Sequence, residues 1–203
     1  MKKILAIAAS ATLLFAACKK DKDNTTTPYD NHSSALMKMM HDMDDSMQAM
    51  TMTMDPDYDF AMMMKQHHMG AVKMADYELA NGSDATIKSM AQGIKDAQTE
   101  EIAMLDSFMM AYSPMNMSMP MMDSMDTSMD RMASQADAQT LKGQTDHDFV
   151  HLMIVHHQSA VDMASSEIMY GQSSFMKNMA TMMKNDQTAE IAEFQSWLSS
   201  GKD

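Results

Sequence analysis

Apolar positions along this chain recur in steps of three and four. Phe60, Met64, His67, Ala71, Met74 and Glu78 follow one another by +4, +3, +4, +3, +4. The same steps link Phe149, Met153, His156, Ala160, Met163 and Glu167, and again Leu36, Met40, Met43, Met47, Met50 and Met54. Such spacing places side chains on one seam of an α-helix. Asp55 is a good N-cap with Pro56 at the first helical position, and Thr145 can cap the corresponding later helix. Gly82 and Gly171 are placed to stop these two helices. Second helices are predicted from Ser83 to about Ala111, with Ile87, Met90, Ile94, Ile102 and Leu105 inward, and from Ser173 to about Ser199, with Met176, Met179, Met183, Ile191 and Phe194 inward. "SPMNMSMPMM" alternates Met with small polar residues and cannot run as a regular helix through Pro120. A helix is expected to resume near Met121, with Met122, Met125, Met129 and Met132 on one face, and to end at Gly143.

The pattern is a duplication. "DYDFAMMMKQHHMGAVKMADYELANG" from Asp57 aligns without a gap on "DHDFVHLMIVHHQSAVDMASSEIMYG" from Asp146, an offset of 89. Over 57–108 against 146–197, 22 of 52 positions are identical, which is too regular for chance yet too few copies for a solenoid. The offset also pairs Met40 with Met129 and Met43 with Met132, so the repeated unit extends to three helices. An all-α, pseudo-symmetric bundle follows. Its segments are a Met-rich helix at 34–54, a first repeat at 55–112, a Met-rich loop and helix at 113–142, and a second repeat at 143–199.

Composition sharpens this picture. Met accounts for 33 of 203 residues, while Gly and Pro are few, which favours helix over sheet. Lys2 and Lys3, the apolar run Ile4–Phe15 and "FAAC" read as an export signal over 1–18, too short to span a membrane as a helix. "FAAC" resembles a bacterial lipobox, with Phe15 where Leu is usual, so Cys18 is the expected lipidation site and the chain is expected to be anchored in the bacterial cell envelope. The simpler alternative is an ordinary cleaved signal. Residues 19–33 read as a polar tether. Cys18 is the only cysteine, so the mature domain has neither disulfide nor thiolate ligand. The formal charge of −13 becomes −15 without Lys2 and Lys3; such a surface repels nucleic acid and attracts cations.

The seam itself carries the candidate chemistry. His67 and His156 share it with core residues, and His68 and His157 flank it. Ala71, Ala75, Ala160 and Ala164 are small enough to let two helices approach closely. If the two seams pack together, imidazoles and thioethers meet inside the bundle, where helical proteins build metal sites. Thioether sulfur is soft and suits Cu(I) or Ag(I); imidazole suits copper and zinc. Met64, His67, Met74, Met153, His156 and Met163 are the first candidate ligands, with His68 and His157 next. The competing reading makes these histidines satisfied core residues and the Met stripes plain packing. Met37, Met39, Met52, Met115, Met117 and Met119 lie off the stripes and are expected as exposed thioethers, either a weak soft-metal surface or oxidant traps. No Glu stands three residues before a His, as di-iron bundles require; the nearest case is Asp148-x-x-His151. His147 and His151 are spaced to chelate, but "HDFVH" lacks a zinc-protease glutamate. No phosphate loop and no nucleophile with its base can be named, so binding without turnover is expected.

The duplicated His-His-x-x-Ala-x-x-Met-Ala pattern and the Gln-x-x-Glu-Ile pattern (Gln98, Glu101, Ile102; Gln187, Glu190, Ile191) resemble a family of bacterial exported proteins called domain of unknown function 305. The resemblance covers roughly 57–199. It implies a ferritin-like four-helix bundle without di-iron ligands, here carrying additional Met-rich helices. Some Met-rich members are similar to periplasmic copper-binding and copper-tolerance proteins, which implies a chain that sequesters or buffers Cu(I). The alternative is a non-catalytic interaction bundle whose Met surface docks a partner or absorbs oxidants.

Overall fold

The computed structural model describes residues 31–115 and 121–201. The export signal, Cys18, most of the tether and Met117 and Met119 lie outside the described residues. The described residues form six helices: α1 (Asn31–Gln48), α2 (Pro56–Asn81), α3 (Ala85–Ala111), α4 (Met121–Asp137), α5 (Thr145–Tyr170) and α6 (Ser174–Ser199). Among the described residues there is no strand and no helix long and apolar enough to cross a membrane. The bounds of α2 shifted by 89 are those of α5, and α1 and α3 fall on α4 and α6 to within a residue. The repeated unit is therefore three helices, as the Met40/Met129 pairing predicts.

The two long central helices pack on each other, α3 packs on α2, α6 on α5, and α1 and α4 cover α2 and α5 while touching each other. The seam of apolar steps explains this order. Phe60, Met64, Ala71 and Met74 on α2, and Phe149, Met153, Ala160 and Met163 on α5, are all essentially fully buried. So are Leu36, Met40, Met43 and Met47 on α1 and Met125, Met129 and Met132 on α4. Methionine thus supplies much of the apolar volume here, as its flexible side chain allows.

Helix ends follow local chemistry. Asp55 Oδ1 accepts the Tyr58 N–H at 3.0 Å, and Pro56 opens α2. Asp84 caps α3 by accepting from Thr86 and Ile87, and Ser173 caps α6 through Met176. Thr145 is not a cap. It is the first residue of α5, opposite Pro56 in the repeat, and Gln144 stands at the cap position without a side-chain bond. The Met-rich helices are shorter than the stripes suggest. α1 stops at Gln48, leaving Met50 and Met54 in the connector, and α4 stops at Asp137, well before Gly143. Each connector needs a left-handed residue to turn into the next helix: Met54 (φ 68°) in the first, Gly143 (φ 74°) in the second. Asp59 holds the first turn by accepting from Thr53 and Met54, and Asp148 holds the second through the N–H groups of Lys142 and Gly143.

The repeats are tied at their ends by a reciprocal device. Asp146 on α5 accepts the N–H groups of Ser83 and Asp84 at the start of α3, and Asp57 on α2 accepts those of Gln172 and Ser173 at the start of α6. A carboxylate at a helix N-terminus is favoured by the helix dipole. Beneath each lies a fully buried glutamate, Glu78 or Glu167. As a carboxylate, neither would meet a donor at either oxygen. Burial, then the adjacent Asp146, pushes Glu78 up to about 8; burial, then Asp57, pushes Glu167 up to about 9. Each is therefore a neutral acid at pH 7 and donates to its aspartate. Gly82 and Gly171 make room for them, since a Cβ at either position would collide with the glutamate head and with a backbone carbonyl.

Candidate metal centre

The close packing of α2 on α5, permitted by Ala71, Ala75, Ala160 and Ala164, brings the motif histidines together. The His67 and His156 rings lie against each other with centroids 3.7 Å apart and planes tilted by 37°. His68 and His157 flank them at 6.3 and 5.9 Å from their chain neighbours' rings. All four are fully buried. Burial, reinforced by the neighbouring histidines, holds His67 and His156 well below the ordinary imidazole range, so both are neutral.

The hydrogen bonds decide which ring nitrogen carries the proton. His156 Nε2 is 3.1 Å from the His67 carbonyl oxygen, which only accepts, so His156 bears its proton on Nε2. Ser159 Oγ donates to the His156 carbonyl at 2.8 Å, leaving its oxygen to accept from His67 Nε2 at 2.7 Å. His67 is then protonated on Nε2 as well. His68 Nε2 lies 2.8 Å from Glu101 Oε2, and His157 Nε2 lies 2.9 Å from Glu190 Oε2. These are ion-pair distances, but the N–H groups point off the line to the oxygens, so they fall short of well-formed hydrogen bonds. His67 and His156 thus present Nδ1 as a buried lone pair, and none of the four Nδ1 atoms has a hydrogen-bond partner. A metal-binding histidine is commonly fixed in this way, with its other N–H held by a carbonyl or carboxylate.

Methionines share these helices with the histidines. Met64, Met74, Met153 and Met163 are buried on the same two helices. Met64 and Met153 are one helical turn from His67 and His156, about 4.5 Å of rise, whereas Met74 and Met163 are roughly 10 Å along. Two further thioethers enter from α1 and α4. Met132 Sδ is 3.2 Å from Ser159 Oγ, the hydroxyl that holds His67. Met43 Sδ packs against Gly70, whose missing side chain makes space for it. Gly70 and Ser159 are equivalent positions, as are Met43 and Met132. The spacing treated Met43 and Met132 only as core; the 89-residue offset, applied to Gly70 and Ser159, was the signal that places them beside the histidines. Glu101 and Glu190 were visible as motif residues, but not as partners of His68 and His157. Among the described residues no three His, Asp or Glu side chains are arranged to hold a metal. The donor set around the histidines is imidazole and thioether, which fits a soft monovalent ion and not a hard divalent one.

The family model described as Domain of unknown function (DUF305) matches residues 57–198. The chain belongs to this family. Among solved structures it is similar to CopM in the Cu(I)-bound form, at 25% identity and a TM-score of 0.55, over 72% of this chain and 98% of that one. It is also similar to a DUF305 fragment from Deinococcus radiodurans, at 22% identity and a TM-score of 0.54, over 71% of this chain and 96% of the fragment, which supports the fold. None of the curated proteins matches it. The DUF305 match covers α2 to α6; α1, with Met40, Met43 and Met47, precedes it.

The off-stripe methionines divide. Met115 is 58% exposed, as expected, but Met37, Met39 and Met52 are half-buried against the core. Helices α1 and α4 lie flat on α2 and α5, so even residues beside the stripe touch apolar neighbours. Among the described residues the most exposed thioether is Met110, on α3.

Proposed function

We propose that this protein binds Cu(I), and Ag(I) as its soft analogue, and sequesters it in the bacterial envelope without catalysing a reaction. The observation that carries this reading is the pair of buried, neutral imidazoles, His67 and His156, whose Nδ1 lone pairs have no partner, flanked by buried His68 and His157 and by buried methionines on the same helices. His67 and His156 are the principal nitrogen ligands, with His68 and His157 beside them. Met64 and Met153 are the nearest sulfur ligands on the same helices, and Met74 and Met163 extend the set along the seam. The similarity to CopM in its Cu(I)-bound form supports the choice of metal. Neutral ligands bind Cu(I) without releasing protons, so affinity stays nearly constant above pH 7.

The export signal and Cys18 place the chain on a lipid anchor in the envelope, where the acidic surface concentrates cations. Its partners are then the membrane, through the anchor, and the metal, with no nucleic acid. The bundle contributes to copper tolerance by keeping the ion bound.

Cu(I) titration of purified protein against a competing chelator tests the site. Changing His67 and His156 together to Ala is expected to weaken binding at least tenfold; unchanged binding would sink the seam site. A purely structural role for the histidines predicts the converse, protein free of metal from copper-fed cells and the same chelator curve for both proteins.

A further inference from the structure

A cavity of about 210 Å³ opens between α1, α2 and α4, lined by Met47, Gln48, Met63, Asp126, Met129 and Asp130, with no histidine in its lining. Met47, Met63 and Met129 are each only 2–3% exposed and line the cavity. Asp126 and Asp130 stand on its α4 wall, and Asp44 lies behind Gln48, which donates to it. Asp44 is 8% exposed, and its Oδ1 has no partner.

The duplication supplies an internal control. Shifted by 89 residues, Met47 corresponds to Ala136, Met63 to Leu152, and Met129 to Met40. Asp44, Asp126 and Asp130 correspond to Ala133, Met37 and His41. The other half of the molecule therefore builds the same helix junction with two methionines, Met40 and Met37, and one acid, Asp137 in place of Gln48, which pairs with His41. The fold does not require methionine at 47 or 63, since Ala136 and Leu152 serve fully buried at the equivalent places. Three buried thioethers beside three acids occur on one side only.

We infer that this cavity is a second soft-metal site, in which Met47, Met63 and Met129 bind one Cu(I) or Ag(I) ion beneath a carboxylate rim. The inference extends the soft-metal reading of the chain, but it uses none of the seam residues. Three neutral sulfur donors suit a monovalent d¹⁰ ion and discriminate against Mg²⁺ and Ca²⁺, which want oxygen. The carboxylates provide the negative field that the thioethers lack, drawing the ion from solvent and balancing its charge. Met47 belongs to α1, outside the segment matched by the family model, so the site is a feature of this chain's added helix.

The test uses protein labelled with ¹³C at the methionine methyls, titrated with silver nitrate in chloride-free buffer. Single Met→Leu variants identify the signals of Met47, Met63 and Met129; Leu keeps the apolar volume, so folding is preserved. All three signals are expected to move together within the first few equivalents of Ag(I), in the wild type and in the His67→Ala, His156→Ala variant alike. A Met47→Leu, Met129→Leu variant is expected to bind one ion fewer against a competing chelator while keeping wild-type helicity. Signals that stay fixed to saturation in the wild type, or an unchanged ion count in the folded double variant, would overturn the site. Loss of binding in the histidine variant alone would support the seam and count against this cavity; loss in the methionine variant alone would do the reverse.

Discussion

Raising the pH from 7 to 9.5 should destabilise this protein through two buried acids. Glu78 and Glu167 are neutral in the folded state, at about 8 and about 9, and ionised in the unfolded chain above the ordinary glutamate value of 4.5. Between those limits the folded state binds more protons than the unfolded one, so stability falls as pH rises. The loss is complete for each acid once the pH passes its folded value. Counting only from pH 7, Glu78 contributes about one pH unit of slope and Glu167 about two, at ~1.4 kcal/mol per unit. Together that is about 4 kcal/mol, an upper figure because the bundle ends relax around a new charge. The choice of window removes the histidines: His67 and His156 are held low and are neutral in both states above pH 7. Below about 6.5 they act in the opposite sense, since the unfolded chain takes up protons that the folded one refuses. The two opposing slopes therefore offset between about 4.5 and 6.5, and stability should be greatest on the mildly acidic side of neutrality. Denaturant unfolding followed by helical circular dichroism, at half-unit steps of pH, measures the slope. Glu78→Gln with Glu167→Gln keeps a donor for Asp146 and Asp57 but cannot ionise, so its curve should be nearly flat from pH 7 to 9.5. Parallel curves for wild type and variant would refute the assignment of these glutamates as neutral donors.

Two backbone positions and one cap give further checks. Gly82→Ala should lower stability by about 2–4 kcal/mol, because the added methyl meets the Glu78 head and a carbonyl that cannot move; Gly93→Ala, where the methyl meets nothing within 4 Å on mid-α3, should raise it by about 0.5–1 kcal/mol. Thermal melts of the two proteins should move in opposite directions. Asp55→Ala removes the α2 cap and also the acceptor for the Tyr112 hydroxyl at 3.1 Å and the Met115 N–H at 2.8 Å. A loss of about 2–3 kcal/mol is expected from equilibrium unfolding.

Much of this architecture was legible because the repeat is gapless. An offset read from α2 and α5 alone carried over to α1 and α4, and so gave the three-helix unit and the approach of His67 to His156. What escaped was mostly the pairing of faces. Periodicity says which residues share a side of a helix and is silent on what lies opposite. Glu101 sits in a recognisable pattern, yet nothing local announces that it reaches His68. The reciprocal ties of Asp57 to Gln172 and of Asp146 to Ser83 span 115 and 63 residues and join unlike local sequences. The stripes of α1 and α4 misled at their ends for another reason. Met50 and Met54 keep the heptad step, but the turn held by Asp59 requires a left-handed residue at 54, and that ends the helix earlier than the apolar pattern does.

The two halves also differ where the histidines meet, and the difference bears on how one ion could sit there. Position 70 is Gly and its equivalent 159 is Ser. Ser159 gives His67 a hydroxyl to hold its Nε2–H, while Gly70 offers His156 nothing, and that ring turns to the His67 carbonyl instead. The same glycine admits the Met43 sulfur to a place a Cβ would fill. A strictly symmetric pair of stacked rings would present two identical faces to an ion on the axis. This pair presents unlike ones, with Met132 beside the serine and Met43 against the glycine. A Cu(I) ion held between these rings would find Met43 and Met132 on inequivalent sides. Gly70→Ser, which restores the hydroxyl and displaces Met43, should weaken Cu(I) binding more than Ser159→Ala, which leaves both sulfurs in place.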